Sequence, residues 1–396
     1  MKAEVICDLA GLHALQTEWD RLWAEDATAD IFGSFDWFLN WWTHFGQGER
    51  TDALHAHGAS GLIAVPGGNW RMRVIVVRDP AGVTRAILPL VLISGMYEGV
   101  RCRILSTPIN SQSVRACIVA SPFGPDIVTV LCDALCEESE WDVLLLTGVA
   151  RDGARPKQLA AALAGRGMTR GPVGTVPSAY LRIDGTWDEY MAGGSRRHFR
   201  RSLVKAERGL EKSGALSWER YAAAEASSIG TTLFMEVDGA SWKAHSGESV
   251  AMVPALRDYY TALCARLAQT GRAEVWGLRV GGQPAAVFLC LNDGRALYTL
   301  KSSYSEAFAE GRSPSQVLIR HVIRESWNSG LRGVDFVGKV PFLDRWANED
   351  LQVWYASVCR SKVLAARIAG YRFLNRLRAL PDRVRRRLRD PMMRRP

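Results

Sequence analysis

The chain has 396 residues, 47% hydrophobic and 23% charged, which is a globular composition long enough for two ordinary domains. Its net charge of +9 sits in the last tenth: residues 360–396 carry 13 Lys+Arg against 2 Asp+Glu, and the remainder carries 37 against 39. A nearly neutral body excludes a body-wide nucleic-acid surface, Glu4 and Asp8 break the apolar run that a signal peptide needs, and no stretch reaches the ~20 apolar residues of a membrane span.

In chain order, residues 10–26 and 34–46 read as helices rich in Leu, Trp and Phe. WRMRVIVVR (70–78), VTRAILPLVLI (83–93) and RCRILS (101–106) read as strands, with DPAG (79–82) as the first turn. Residues 125–138 and 156–165 read as helices on either side of a buried strand, WDVLLLTGV (141–149). RGPVGTVPS (170–178) is rich in Gly and Pro and is the expected domain junction. Residues 195–214 form a helix with Phe199, Leu203, Ala206 and Leu210 on one face, followed by helices over 222–238 and 254–270. A three-strand meander comes next, 273–280, 284–292 and 296–304, turned by Gly281-Gly282 and Asp293-Gly294. The helix 313–330 has Ser313 as N-cap and Pro314 at the first helical position, and GVDFVG (333–338) closes as a strand.

The loop before that last helix carries the first chemical signal. The free N–H groups of a helix start bind phosphate well, which nominates Arg312, Ser313, Ser315 and Gln316; an ordinary capped helix is the plain alternative. The eight Cys lack CxxC or Cys/His metal spacing, so the expectation is cytoplasmic thiols and no metal.

Several longer segments together resemble the GNAT superfamily, in its CelD/BcsL-like branch, related to the Fem-type transferases with two GNAT domains. They are IFGSFDWFLNWWTHFG (31–46), VIVVRDPAGVTRAILPLVL (74–92), WDVLLLTGV, SRRHFRRSLVKAERGLEKSG (195–214), EVDGASWKAHSG (236–247), the meander, and DFVGKVPFLDRW (335–346). The resemblance covers nearly all of the chain up to about residue 358. It implies an α/β (α+β) fold of tandem GNAT-like domains, each a mixed central sheet flanked by helices. The expected division is 1–170, 171–359 and a basic amphipathic tail, 360–396. It also implies an acyl-CoA donor whose pyrophosphate lies at the loop before helix 314–329. The chain departs from the family in having SPSQ where a Gly-rich loop is usual, and Phe342-Leu343-Asp344 where Tyr-Lys precedes the final Arg-Trp.

Amine acylation needs a base, and Glu236 matches the family's acidic position before Trp-Lys, with His245 as second choice. Trp242, Lys243 and Asp335 are the expected acceptor contacts. Tyr298 and Tyr304, on the third meander strand, are candidates to protonate the leaving thiolate or to meet substrate. The plain alternatives are helix-end solvation for the 236–245 group and strand packing for the tyrosines; His321 reads as a core histidine. The basic helix 196–208 suits donor or lipid phosphates, or is a solvated face.

In the tail, Leu364, Ile368, Tyr371, Leu374 and Leu377 follow helical spacing ahead of an Arg cluster. That pattern suits an anionic membrane surface, with a disordered basic tail as the alternative. The leading expectation is therefore a cytoplasmic N-acyltransferase, peripheral on the inner face of the membrane. It would act on a lipid-like amine such as a sphingoid base, as the resemblance to the bacterial ceramide-synthase type implies. Acyl or aminoacyl transfer to a polysaccharide or cell-envelope amine, and a non-catalytic GNAT-like scaffold, are the alternatives.

Overall fold

The structure, a computed structural model, describes residues 1–46, 55–58, 61–64, 70–110, 112–113, 115–149, 155–193, 196–310 and 312–379. In chain order, β1 (Lys2–Ile6), α1 (Leu9–Ala14), α2 (Gln16–Glu25) and α3 (Phe35–Trp41) come first, α3 running into one wide π turn (Trp42–Gly46). The strands β2 (His55–Gly58), β3 (Gly61–Ala64), β4 (Arg71–Arg78), β5 (Thr84–Tyr97), β6 (Val100–Ser106) and β7 (Val119–Ala120) follow. Then come α4 (Pro125–Glu137), β8 (Val143–Val149), α5 (Arg155–Gly165), β9 (Thr169–Arg182), α6 (Trp187–Ala192), α7 (Arg197–Glu211) and β10 (Leu216–Ala222). A π turn leads into α8 (Thr231–Gly239), then α9 (Lys243–Ser246), α10 (Pro254–Ala268), β11 (Ala273–Val280), β12 (Gln283–Asn292) and β13 (Ala296–Tyr304). The chain closes with α11 (Pro314–Asn328), β14 (Gly333–Asp335), α12 (Pro341–Asp344), β15 (Glu349–Cys359) and α13 (Lys362–Ala379).

The fold is mixed α/β, and the chain divides into two compact units. Unit 1 holds 1–29, 45–175 and 354–396; unit 2 holds 30–44 and 176–353. The helix α3 therefore belongs with unit 2, although it lies early in the sequence. Its Trp37 meets Tyr259 of α10 edge-on, and Asn40 donates to the Tyr259 carbonyl.

In unit 1, β1, β4, β5 and β6 form an antiparallel run, and β8 pairs with β6 in parallel. The core lies between this sheet and α4 and α5, with Leu88, Leu90, Leu131, Trp141 and Leu144 at its centre. A buried ion pair ties its ends: Arg155 donates to Asp26 at 2.6 Å and to the carbonyls of Ile118 and Ala120.

The expected junction 170–178 holds the passage from unit 1 to unit 2 at 175/176, and it is strand there, as part of β9. Its glycines admit close neighbours rather than loosening the chain. A Cβ at Gly171 would lie 2.4 Å from Ser357 Oγ, and one at Gly174 would lie 2.3 Å from the Tyr355 hydroxyl, both on β15.

The helix α13 lies against the rest of unit 1 through part of the stripe expected to meet a membrane. Ile368 is buried, Tyr371 covers Gly99, where φ is +69° and a Cβ would meet the ring, and Arg372 pairs with Glu98 at 2.8 Å. The apolar side chains left outside are Val363, Phe373 and Leu374. The Arg cluster, 383–389, lies outside the described residues. Among the described residues no helix is long and apolar enough to cross a membrane.

In unit 2, β10 to β13 are antiparallel, β14 joins β13 in parallel, and β9 pairs antiparallel with β14. Side-chain alternation on β11 separates the two faces. Trp276, Leu278 and Val280 pack with α7 and α11, while Val275 and Gly277 meet Gly230 and Leu233 on the side of α8 and α10.

Candidate active site

The hairpins that build the site follow from their turns. Gly281 and Gly282 both have positive φ (58° and 80°), which a tight two-residue turn requires and which Gly adopts without steric cost. At the next turn, Asp293 Oδ1 accepts from the N–H of Arg295 and of Ala296, fixing the start of β13.

Two irregularities then open the sheet. Leu289 pairs with Lys301, but Cys290 pairs with Thr299, so Leu300 is an extra residue, a β-bulge that leaves its backbone outside the ladder. On the other edge, β13 follows β14 only through Ala296↔Gly333, Leu297↔Val334 and Tyr298↔Asp335. Beyond that point the strands part. The β14 end is held off by a turn in which Asp335 Oδ1 accepts the Val337 N–H at 2.8 Å, with Val337 at φ +52°, an unusual value for a β-branched residue.

A cavity of about 540 Å³ fills the gap. Thr299 to Tyr304 form one wall, and Phe336, Val337, Val340, Phe342 and Leu343 form an apolar wall opposite. The start of α11 contributes Arg312 to Gln316 from one face of the sheet, and α9 contributes Trp242 and Lys243 from the other. The cavity therefore passes through the sheet.

At the α11 end, Ser313 occupies the N-cap position without a side-chain cap, and Pro314 has no N–H. There is no acidic residue in the first turn, and with the Gln316 N–H bonded to the Ser313 carbonyl at 2.9 Å the helix start presents the Ser315 N–H and partial positive charge. Arg312 is held by a 2.6 Å bond to Ser213 Oγ. It also lines a second groove, about 840 Å³, running along α7 beside Arg197, Arg200, Arg201, Lys205, Arg208 and Lys212. Among the described residues none of these six cations has an ion pair.

On the α9 side stands a polar network. Lys243 Nζ donates to the Ser302 carbonyl and to Ser303 Oγ (3.3 Å), and Ser303 Oγ donates to Asp238. Fully buried Asp238 also accepts from Ser249 Oγ at 2.7 Å and from the Ala251 N–H. Burial pushes the Lys243 pKa down, against the pull of Asp238 and Glu248. Lys301 lies beside it, half-buried, with Nζ 5.3 Å from the centre of the Tyr260 ring. Burial, and then the charge of Lys243, push its pKa down to about 8. Thr299 is 5% exposed, and its hydroxyl has no partner among the described residues.

Arg312, Ser313, Ser315, Gln316, Trp242, Lys243 and Tyr304, all singled out in the sequence, are thus brought to one cavity. Gln316 serves mainly as a brace, since its amide donates to the Phe342 carbonyl and accepts from Trp346 Nε1.

Four expected residues do not line the cavity. Glu236 is exposed, because α8 turns its neighbours Val237 and Asp238 inward instead. His245 is exposed on α9. Tyr298 is fully buried ahead of the gap, its hydroxyl donating to Asp293 at 2.7 Å and its ring against Phe32. Asp335 is committed to the Val337 turn. His321 packs between Trp218 and Trp276.

The sequence assigns no role to Lys301, Thr299 or Ser303, and within the 236–245 group it favours Glu236 and His245 over Asp238. The signal on β13 was a lysine in mid-strand, with Ser303 two residues on and so on the same face. Among the described residues no three His, Cys, Asp or Glu side chains converge as metal ligands.

Residues 197–348 match the family model described as an acetyltransferase (GNAT) domain. No curated protein matches the chain. Among solved structures, FemX is similar at 13% identity and a TM-score of 0.56, over 86% of this chain and 89% of that one. A conserved protein of unknown function from Bacteroides thetaiotaomicron VPI-5482 is similar at 10% identity and a TM-score of 0.50, over 90% of this chain and all of that one. At these identities the likeness is one of fold.

Proposed function

We propose that unit 2 transfers a fatty acyl group from a phosphate-bearing thioester of the acyl-CoA kind to the amine of a lipid-like acceptor. The observation that carries this reading is the cavity through the sheet, with Arg312 and the Ser315 N–H at a helix start on the α11 side and amines on the α9 side. Donor phosphates would sit at Arg312 and the start of α11, with the α7 groove taking the remaining negative charge. The thioester carbonyl would lie at the Leu300 bulge, where a backbone N–H outside the ladder can stabilise developing negative charge. The wall from Phe336 to Leu343 suits an aliphatic chain, and the acceptor enters past Trp242.

Titration of palmitoyl-CoA by calorimetry tests the donor half. Ser315→Glu places a negative charge where phosphate should lie, and Arg312→Ala removes a charged donor worth about 1.5–3 kcal/mol. Both should weaken binding at least tenfold, and unchanged affinity in both would overturn the assignment.

The lipid-like acceptor is motivated by α13, whose outward face carries Val363 (71% exposed), Phe373 (62%) and Leu374 (52%) just before seven arginines in 380–396. Sedimentation with phosphatidylglycerol vesicles should recover the full chain at low salt, and Phe373→Asp should reduce recovery. If wild type leaves the vesicles in the supernatant at low ionic strength, the lipid-surface part of the proposal is wrong.

A further inference from the structure

The transfer needs a group to deprotonate the acceptor, because an amine is an ammonium near neutral pH and has no lone pair to attack with. Carboxylates and imidazoles are absent from the cavity lining among the described residues; its titratable side chains are Lys243, Lys301, Tyr304 and Arg312. Arg312 stays protonated, so it is excluded as a base. Tyr304 holds its proton in the neutral form and so must lose it before it can act as one. Lys243 is tethered, its ammonium donating to the Ser302 carbonyl and Ser303 Oγ in a network that ends on the Asp238 carboxylate. Lys301 differs in each respect. It has no hydrogen bond or ion pair among the described residues, it stands over the Tyr260 ring, and it lines the cavity next to the bulge.

We propose that Lys301 is the catalytic base of the acyl transfer, its neutral amine taking a proton from the acceptor ammonium. This rests on reading the cavity as a thioester-dependent acyltransferase site. The acceptor lone pair so released attacks the thioester carbonyl carbon. A C–N bond forms, the C–S bond breaks, and the sulfur leaves as thiolate. The new amide nitrogen gives up its second proton to that thiolate, yielding the thiol. Lys301, now an ammonium, returns its proton to solvent.

The surroundings favour the neutral form of Lys301. Burial and Lys243 act against its charge, while Asp238 and Glu248 act for it more weakly, leaving the pKa near 8. That lies close enough to a working pH for a base to be present in quantity and still strong. The groups facing Lys301 are Asp238 on α8, Lys243 on α9 and Tyr260 on α10, with Glu248 nearby, while Tyr304 on its own strand points to the α11 side. Lys243 is then a positioning residue, keeping its neighbour's proton loosely held.

The test uses the full chain with palmitoyl-CoA and a long-chain primary amine. Wild-type kcat/KM should rise with pH through a limb near pH 8. Lys301→Arg keeps the positive charge but cannot act as a base; it should lose roughly 10²–10⁴-fold in kcat and show no such limb, with palmitoyl-CoA affinity kept. Lys301→Met should do the same. Lys243→Gln removes the neighbouring charge and should move the limb to higher pH, a shift that a purely structural role would not produce. If Lys301→Arg retains turnover and the limb, Lys301 is an electrostatic anchor and the proposal is wrong. If wild type binds no thioester at all, the parent reading fails instead, which the titration registers separately.

Discussion

The two units contain the same local arrangement in two states. In unit 1, β6 and β8 run parallel through Ile104↔Val143, Leu105↔Leu144 and Ser106↔Leu145; in unit 2, β13 and β14 run parallel through Ala296↔Gly333, Leu297↔Val334 and Tyr298↔Asp335. The next residue is a threonine in both. Thr107 stays paired, its N–H on the Leu145 carbonyl and its hydroxyl 3.0 Å from that of Thr147. Thr299 begins the gap. The helices that follow differ as well: α4 starts with Asp126 in its first turn, while α11 has no acid there and Arg312 ahead of it. An acidic first turn satisfies the helix dipole from within the chain, and an empty one leaves it for an incoming anion. At this point of the fold unit 1 pairs its threonine within the chain, and unit 2 leaves the Thr299 hydroxyl without a partner among the described residues.

The largest effect expected from this contrast is at the buried ion pair of unit 1. Burial disfavours the Asp26 carboxylate, but the hydrogen bonds and charge of Arg155 outweigh it and leave the Asp26 pKa depressed. Asp26→Ala would strand the Arg155 guanidinium in the interior and should cost about 3–5 kcal/mol in urea denaturation. Because the folded pKa is depressed, the stabilisation is present above the unfolded value of ~3.9 and is lost as pH falls through the folded one. The wild-type advantage over Asp26→Ala should therefore be full at pH 7 and shrink below about pH 4. A substitution that leaves stability unchanged at pH 7 would mean that Asp26–Arg155 is not the tie described.

The sequence disclosed some elements better than others, for physical reasons. Gly-Gly and Asp-Gly turns announce hairpins because few residues tolerate positive φ, so β11, β12 and β13 were legible almost to the residue. The start of α11 was legible because Pro314, which lacks an N–H, suits the first helical position. By contrast, β10 and β15 are strands with mixed exposure whose alternation is blurred, and β9 hides behind Gly171, Pro172 and Gly174. Those glycines answer to the side chains of β15, which no local pattern records. In the site, the EVDGASWK segment drew attention to Glu236, but helix rotation turns Asp238 inward and Glu236 out, and boundary uncertainty of a residue or two decides such a choice. Lys301 was in plain view on a strand already identified; only its neighbours Lys243 and Tyr260 give it chemical meaning, and they are distant in sequence.

The smallest expected effect is also the most direct comparison of the two threonines. Thr→Val is nearly isosteric and deletes only the hydroxyl's hydrogen-bonding capacity. At Thr107 the change leaves Thr147 Oγ1 without its partner in a buried place, so stability should fall by about 1 kcal/mol. At Thr299 the hydroxyl is buried and bonds to nothing among the described residues, so the same change removes an uncompensated polar group and should raise stability by up to about 1 kcal/mol. The signs are opposite although the chemistry and the place in the fold are the same. Function should divide the other way. Thr107→Val should leave palmitoyl-CoA affinity and turnover unaltered, while Thr299→Val should lower turnover several-fold, because one neutral hydrogen bond to ligand is worth about 0.5–1.5 kcal/mol. Chemical denaturation and steady-state assays on both variants give the four numbers. If Thr299→Val destabilises the protein as Thr107→Val does, its hydroxyl is part of the packing and the gap in unit 2 is not poised for a ligand at that wall.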